Sequence, residues 1–207
     1  MTAVTIIGAG DIAAAVADLA TKAAVKVQVL ARDVEKARTL TAPLGAKAGR
    51  VGDAITGEIV VLAVPYPAVA EVLARYADQL TERILIDVTN PIDFATFDNL
   101  VVPGESSAAQ IIQDTALQAR VVKAFNANLG ATIATGQVGS LTTTVLVAGD
   151  DADAKRAVID LATAGGLEAV DAGSLKRARE LEALAFLQIT LAAAKKTPWT
   201  GGFALVR

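Results

Sequence analysis

Apolar and polar positions along the chain fall into short alternating blocks. Ala3 to Ile7 is an apolar run that stops at Gly8. From Asp11 to Lys22, Ile12, Val16 and Leu19 recur near helical spacing. Val25 to Leu30 predicts a second strand, with Lys26 and Gln28 marking an exposed side. Asp33 is placed to cap a helix running to about Leu44, with Lys36 and Arg38 on its polar face. Ala46 to Arg50 is a short third strand. Glu58 to Val64 is a continuous β-branched run, the pattern of a central parallel strand buried on both faces. Pro67 to Gln79 predicts a helix, Arg83 to Val88 a strand ending in Thr89-Asn90-Pro91, Ser106 to Leu117 a helix, and Arg120 to Phe125 another strand.

The order β-α-β-α-β-β-α-β-α-β implies an α/β fold: a doubly wound parallel sheet with helices on both sides. The signal changes after about residue 126. Thr142 to Ala148 and Leu167 to Val170 predict strands around a helix from Asp151 to Ala164, which Gly165-Gly166 closes. Ser174 to Lys196 is the longest helical candidate. The charges Lys176, Arg177, Arg179, Glu180 and Glu182 near its start suggest a solvated first turn.

Composition narrows the chemistry. The 207 residues include no cysteine and no histidine. Disulfides, thiol nucleophiles, thiolate zinc sites and histidine bases are therefore excluded. A catalyst built here must use carboxylates, lysine, hydroxyls or a borrowed cofactor. The net charge of -3 gives no nucleic-acid surface. Mean hydropathy is high, at +0.48. Yet the most apolar stretches, Ile59 to Ala70 and Leu181 to Ala194, are interrupted by prolines or by Glu182 and Gln188, short of the roughly 18 apolar residues that a span needs. No basic region precedes an apolar run at the N-terminus, so the expectation is a cytoplasmic protein with no membrane partner.

The strongest motif follows the first strand. Gly8-Ala9-Gly10-Asp11-Ile12-Ala13 has the G-x-G-x-x-G/A form, between a strand and a helix at the start of a β-α-β unit. Gly8 permits the tight turn, Gly10 lets the backbone approach a pyrophosphate, and Ala13 keeps helix and strand close. After strand two, an NAD site would carry an acidic residue. Here Ala31 stands at the strand end, Arg32 follows, and Lys36 lies one helical turn on. Two cations suit a 2′-phosphate, which points to NADP, although both could be plain solvated charges. Asp33 is read as the helix cap.

With these residues in place, the chain resembles the NADPH-dependent reductases of the deazaflavin coenzyme F420 and the related dinucleotide-binding proteins. The segments that carry the resemblance run through nearly the whole chain. They include Ile6 to Ile12, Ala31 to Ala37, Val61 to Tyr66, Asp87 to Pro91, Ser106 to Gln110, Val121 to Asn126, Ala148 to Asp151, Val170 to Leu175, Ala178 to Glu182 and Gly201 to Phe203.

The resemblance implies a Rossmann-type NADP-binding domain over residues 1–126 and a small C-terminal α/β extension over 127–207, which shapes the acceptor pocket and helps form a homodimer. It implies hydride exchange between NADP(H) and a small-molecule acceptor in the cleft between the two parts. That acceptor would be coenzyme F420 or another flavin, with a quinone or metal chelate also open. It carries cofactor contacts onto Gly8, Ala9, Gly10, Asp11, Ile12, Ala31, Arg32 and Lys36. It places Ala63, Val64, Tyr66, Val69, Asn90, Pro91 and Ile92 on the nicotinamide side, and Gly130 in a helical turn that closes the far end. Ala31 stands where the family often has a small hydroxyl residue.

Tyr66 could pack on the nicotinamide or fill the edge of the core, and Asn90 could bond the cofactor or shape the turn before Pro91. Ring-to-ring hydride transfer at ~3–3.5 Å needs little acid–base help, so no general acid and no metal is nominated. Trp199 and Phe203 flank Gly201-Gly202 in a tail expected to pack back on the body or on a partner subunit. The other class of function that these features allow is a non-catalytic NADP(H)-binding sensor or interaction module.

Overall fold

The structure is a computed structural model that describes residues 3–206. Strand β1 (Ala3–Ile7) leads into helix α1 (Asp11–Lys22), β2 (Lys26–Ala31), α2 (Val34–Thr41) and β3 (Lys47–Arg50). The chain then crosses to β4 (Ile59–Leu62), α3 (Val69–Tyr76), β5 (Ile84–Asp87), α4 (Ala108–Thr115) and β6 (Arg120–Lys123). A short helix α5 (Gly130–Thr135) and a small hairpin, β7 (Gln137–Val138) with β8 (Leu141–Thr142), follow. Strand β9 (Thr144–Gly149), α6 (Ala152–Ala164), β10 (Glu168–Gly173) and α7 (Ala178–Ala193) complete the fold.

Eight strands form one sheet in the order β10-β9-β6-β5-β4-β1-β2-β3. All neighbours are parallel except β6 and β9. This is the Rossmann-type doubly wound sheet that the alternating pattern predicts. The C-terminal strands continue the same sheet. Val145 and Val147 of β9 and Val158 and Leu161 of α6 share one core with Val4, Ile6 and Val122.

Alternate side chains of each strand feed two cores. Val4, Ile6, Val29, Val61 and Ile86 pack beneath α1 and α6, where Ala13, Val16, Ala17 and Ala20 allow close approach. Ile7, Leu30, Val60, Leu62 and Leu85 pack beneath α3 and α4. Both faces are covered, so the central strands are apolar throughout. Among the described residues no helix is long and apolar enough to cross a membrane.

Gln28 departs from expectation. It is buried, because the loop between β3 and β4 folds over it. Thr5 Oγ1, Thr56 N and Thr56 Oγ1 all donate to its Oε1 at 2.8–3.0 Å, and its Nε2 donates to Ala54 O at 3.0 Å. Strand β4 is shorter than the apolar run that announces it, since the chain leaves the ladder after Leu62 toward Pro65.

Candidate functional site

The chain passes from β3 to β4 across β1, so the sheet reverses its winding between β1 and β4. Open α/β sheets bind ligands at such a switch point, beyond the carboxyl ends of the strands. Gly8 stands there at φ +128°, and a Cβ added to it would meet Ala63 O at 1.9 Å. Only glycine fits between the two strand ends. Gly10 is different: its φ of -91° suits any residue, and a Cβ there would meet nothing within 4 Å. Gly10 therefore keeps open the space just above the turn.

Helix α1 begins at this space with no side-chain cap. By contrast, Asp33, Ser107 and Asp151 accept backbone N–H bonds at the starts of α2, α4 and α6. The start of α1 thus has the geometry that cradles a phosphate, with partial positive charge and free donors.

A cavity of about 310 Å³ extends from this turn toward β2. Gly8, Ala9, Gly10, Ala31, Arg32, Lys36, Ala63 and Val64 all line it, with Asp33, Pro65 and Glu71. Arg32 and Lys36 are exposed and form no ion pair among the described residues. Asp33 Oδ1 accepts from Glu35 N at 3.0 Å, so it serves as the cap of α2. The donor set fits the phosphates of NADP: free N–H groups at one end, two unpaired cations at the other, and small side chains between.

A second cavity of about 680 Å³ lies on the other side of the α1 start. Its size is that of a small-molecule site. Asp11, Ile12, Asn90 and Gly130 line it, together with Phe94, Asn126, Asn128, Ile189 and Trp199. Gly130 lets α5 sit against α1, since a Cβ there would meet Asp11 atoms at 3.2 Å. Asn90 and Asn126 staple the loops after β5 and β6. Asn90 Nδ2 donates to Asn126 O, and Asn126 Nδ2 donates to Asn90 Oδ1, both at 3.0 Å. The turn-shaping role of Asn90 is therefore the one on view.

Tyr66, Val69, Pro91 and Ile92 line neither cavity. Val69, Pro91 and Ile92 are buried behind the wall, where α3 and an isolated bridge from Ile92 to Leu100 hold them. Tyr66 packs at the edge of the α3–α4 core.

Behind Asn90 lies a charged cluster. Lys123 Nζ, at the end of β6, donates to Asp87 Oδ2 at 2.8 Å and to Thr89 O at 2.6 Å, and lies 2.9 Å from Glu182 Oε1. None of these charged side chains is more than 1% exposed. Glu182 also accepts from Ala108 N and Ala109 N at the start of α4. Glu182 is thus not part of a solvated helical turn, as its charged neighbours suggest. Only its partners, brought together from three distant segments, reveal its burial.

Burial pushes the Glu182 carboxyl up, with Lys123 opposing and Asp87 adding to the rise. Burial alone would push the Lys123 ammonium down, but Asp87 and Glu182 together hold it above the usual lysine range. Burial and the nearby carboxylates of Glu182 and Asp87 also raise the Tyr66 phenol, so it stays a neutral hydroxyl.

Three buried side-chain polar atoms lack a protein partner among the described residues: Thr89 Oγ1, Asn126 Oδ1 and Asn128 Oδ1. All three follow β5 or β6. Unpaired buried atoms are uncommon and mark places that water or a ligand completes.

Another cavity, about 740 Å³, opens at the opposite ends of the strands. Two of its arginines hold the chain itself: Arg83 Nε donates to Gln79 O, and Arg120 donates to Glu82 O. It has no glycine turn among its lining residues.

Comparisons with known proteins agree with this geometry. Residues 3–91 match the family model of the coenzyme F420-dependent NADP oxidoreductases. An F420-dependent NADP reductase of Methanothermobacter thermautotrophicus is 30% identical over 184 residues, 80% of this chain and 78% of that one. The enzyme of the same name from Methanocaldococcus jannaschii is 30% identical over 149 residues, 70% of this chain and 66% of that one. Rat metalloreductase STEAP3 is 30% identical over 181 residues, but this chain spans only 36% of its length. A solved structure from Arthrobacter sp. FB24 superposes over the full length of both chains with a TM-score of 0.87 at 24% identity, which shows the shared fold. On these grounds the chain belongs to the coenzyme F420-dependent NADP oxidoreductase family.

Proposed function

We propose that the protein is an NADP(H)-dependent oxidoreductase that passes a hydride between NADPH and a flavin-like acceptor, coenzyme F420 or another flavin. The observation that carries this reading is the meeting of two cavities at the start of α1. One has the phosphate geometry and the cations. The other has room for a ring beside the nicotinamide.

NADPH supplies the hydride when bound. The chain's own residues do the rest. Gly10 and the first N–H groups of α1 receive the pyrophosphate. Arg32 and Lys36 receive the 2′-phosphate, each charge-assisted contact being worth ~1.5–3 kcal/mol. Ala63 and Val64, which line the same cavity, would face the dinucleotide. The Asn90–Asn126 staple and the Lys123 cluster hold the loops after β5 and β6, which would support the nicotinamide end. Holding two rings face to face supplies most of the effect in such a transfer. Leu187, Leu205 and Val206 leave apolar surface exposed on α7 and the tail, which supports a homodimer built through the C-terminal part.

NADPH oxidation against a panel of coenzyme F420, flavins and quinones tests the reading. Turnover on at least one ring acceptor is expected. Tight NADPH binding with no turnover on any of them would make the protein a sensor.

A further inference from the structure

Two aromatic side chains of the second cavity are left half exposed there. Phe94 and Trp199 both line it, and each is 54% exposed. Large aromatic rings are mostly covered in a folded protein, and exposed ones that share a cavity mark a binding surface. They come from separate segments, the loop after β5 and the C-terminal tail.

Both segments are tied down. In the first, Asp93 N donates to Asn99 O, Phe97 N donates to Asp93 O, and the Asp93 carboxylate takes Ala95 N and Thr96 Oγ1. Phe97 also meets Phe94 edge-on, with ring centroids 5.5 Å apart. In the tail, Gly201 N donates to Pro198 O and Phe203 N donates to Gln188 Oε1 on α7. The rings are thus presented by held turns.

Among the described residues, the cavity walls around them carry no lysine or arginine. The ionisable groups among these are Asp11 and Asp18, and Asp18 is paired with Lys22 at 2.8 Å. A phosphate or carboxylate of the acceptor would find no cation among these residues, whereas a planar ring would find two aromatic side chains.

We propose that Phe94 and Trp199 form an aromatic clamp that binds the planar ring of the hydride acceptor. The proposal rests on the NADP(H) oxidoreductase reading, which places the nicotinamide at the edge of this cavity. Any charged tail of the acceptor lies outside the clamp.

Riboflavin, a neutral planar flavin, is the probe. Its Kd is measured by calorimetry on the full chain saturated with NADP+, for wild type, Phe94→Ala, Trp199→Ala and Trp199→Phe. Both residues are exposed, so the variants fold, and their NADP+ Kd serves as the control. Each alanine variant should weaken riboflavin about tenfold, and Trp199→Phe about threefold or less. The NADP+ Kd should stay within about twofold of wild type. Trp199 is the only tryptophan, so riboflavin should also quench the protein's tryptophan emission.

The clamp is overturned if riboflavin binds the alanine variants as it binds wild type, or fails to bind the NADP+-loaded wild type. It is also overturned if the NADP+ Kd rises in step, since the rings would then hold the nicotinamide. Failure of NADP+ itself to bind wild type is a separate result, and it removes the cofactor reading.

Discussion

Lys123 Nζ on β6 lies 2.9 Å from Glu182 Oε1 on α7, with both side chains out of reach of solvent. This pair joins the last helix to the edge of the sheet where the site lies. Asp87, Thr89 O and the start of α4 complete the set of partners. Removing one member leaves an uncompensated buried charge, which costs about 3–5 kcal/mol. Lys123→Met should therefore lower the thermal midpoint by roughly 6–20 °C, read by calorimetry. Glu182→Gln keeps an acceptor for Ala108 N and should cost less. A midpoint for Lys123→Met within about 2 °C of wild type would show that the cluster adds little.

The same cluster sets an alkaline limit. Lys123 is held above the usual lysine value of 10.5 in the folded protein, because the two carboxylates outweigh its burial. A raised lysine pKa adds stability that is full below the unfolded value and is lost as pH rises through the folded one. Glu182 has the same sense, in a lower pH range. Its raised pKa means that the native state takes up a proton more readily than the unfolded chain does, so mild acid favours the fold at this group. Wild type should thus lose stability above about pH 10.5, and Lys123→Met should show a flatter decline. Thermal midpoints across about pH 8–11 check this.

Gly8 and Gly10 should separate folding from binding. Gly8→Ala drives a methyl into Ala63 O in a backbone conformation that alanine avoids, and should cost at least about 3 kcal/mol. Gly10→Ala meets no neighbour, so stability should stay within about 1 kcal/mol of wild type. The methyl would occupy the phosphate's space, and NADP+ affinity should fall about tenfold or more. Equal NADP+ affinity in Gly10→Ala and wild type would move the pyrophosphate elsewhere.

Arg32→Ala should weaken NADPH by about ten- to hundredfold, with NADH changed by less than about threefold. Lys36→Ala should act in the same direction and less strongly. An equal loss for both dinucleotides would remove the 2′-phosphate from these side chains.

What the sequence disclosed was local. Gly8 to Ala13, Arg32, Lys36 and the cap at Asp33 are read from neighbours within a few residues, and the structure puts them around one cavity. The alternating strands and helices are also local signals. Gln28 escaped because a polar residue that alternates with Val27 and Val29, two places after Lys26, looks like the outward side of a strand, and Glu182 because it follows the charges Arg179 and Glu180 within one helical turn. Each is buried by partners from far along the chain, Ala54 and Thr56 for one, Lys123 and the α4 start for the other. Helix α5 and the β7–β8 hairpin escaped because six residues and two pairs are too short to carry a period. Only Gly136 and Gly139, at φ +73° and +60°, signal their turns. The small side chains of the alanine-rich sequence are put to use at Ala13, Ala17 and Ala20, on the buried face of α1.

The most direct measurement follows the hydride itself. NADPH deuterated at the transferred position of C4 is incubated with the protein and coenzyme F420, whose accepting atom is a carbon that does not exchange with water. Mass spectrometry of the reduced deazaflavin then reads where the hydrogen came from. The account predicts one deuterium delivered from the dinucleotide to the ring carbon. Reduced deazaflavin carrying only solvent hydrogen would contradict it, as would tight NADPH binding with no reduction of coenzyme F420 or of any other ring acceptor.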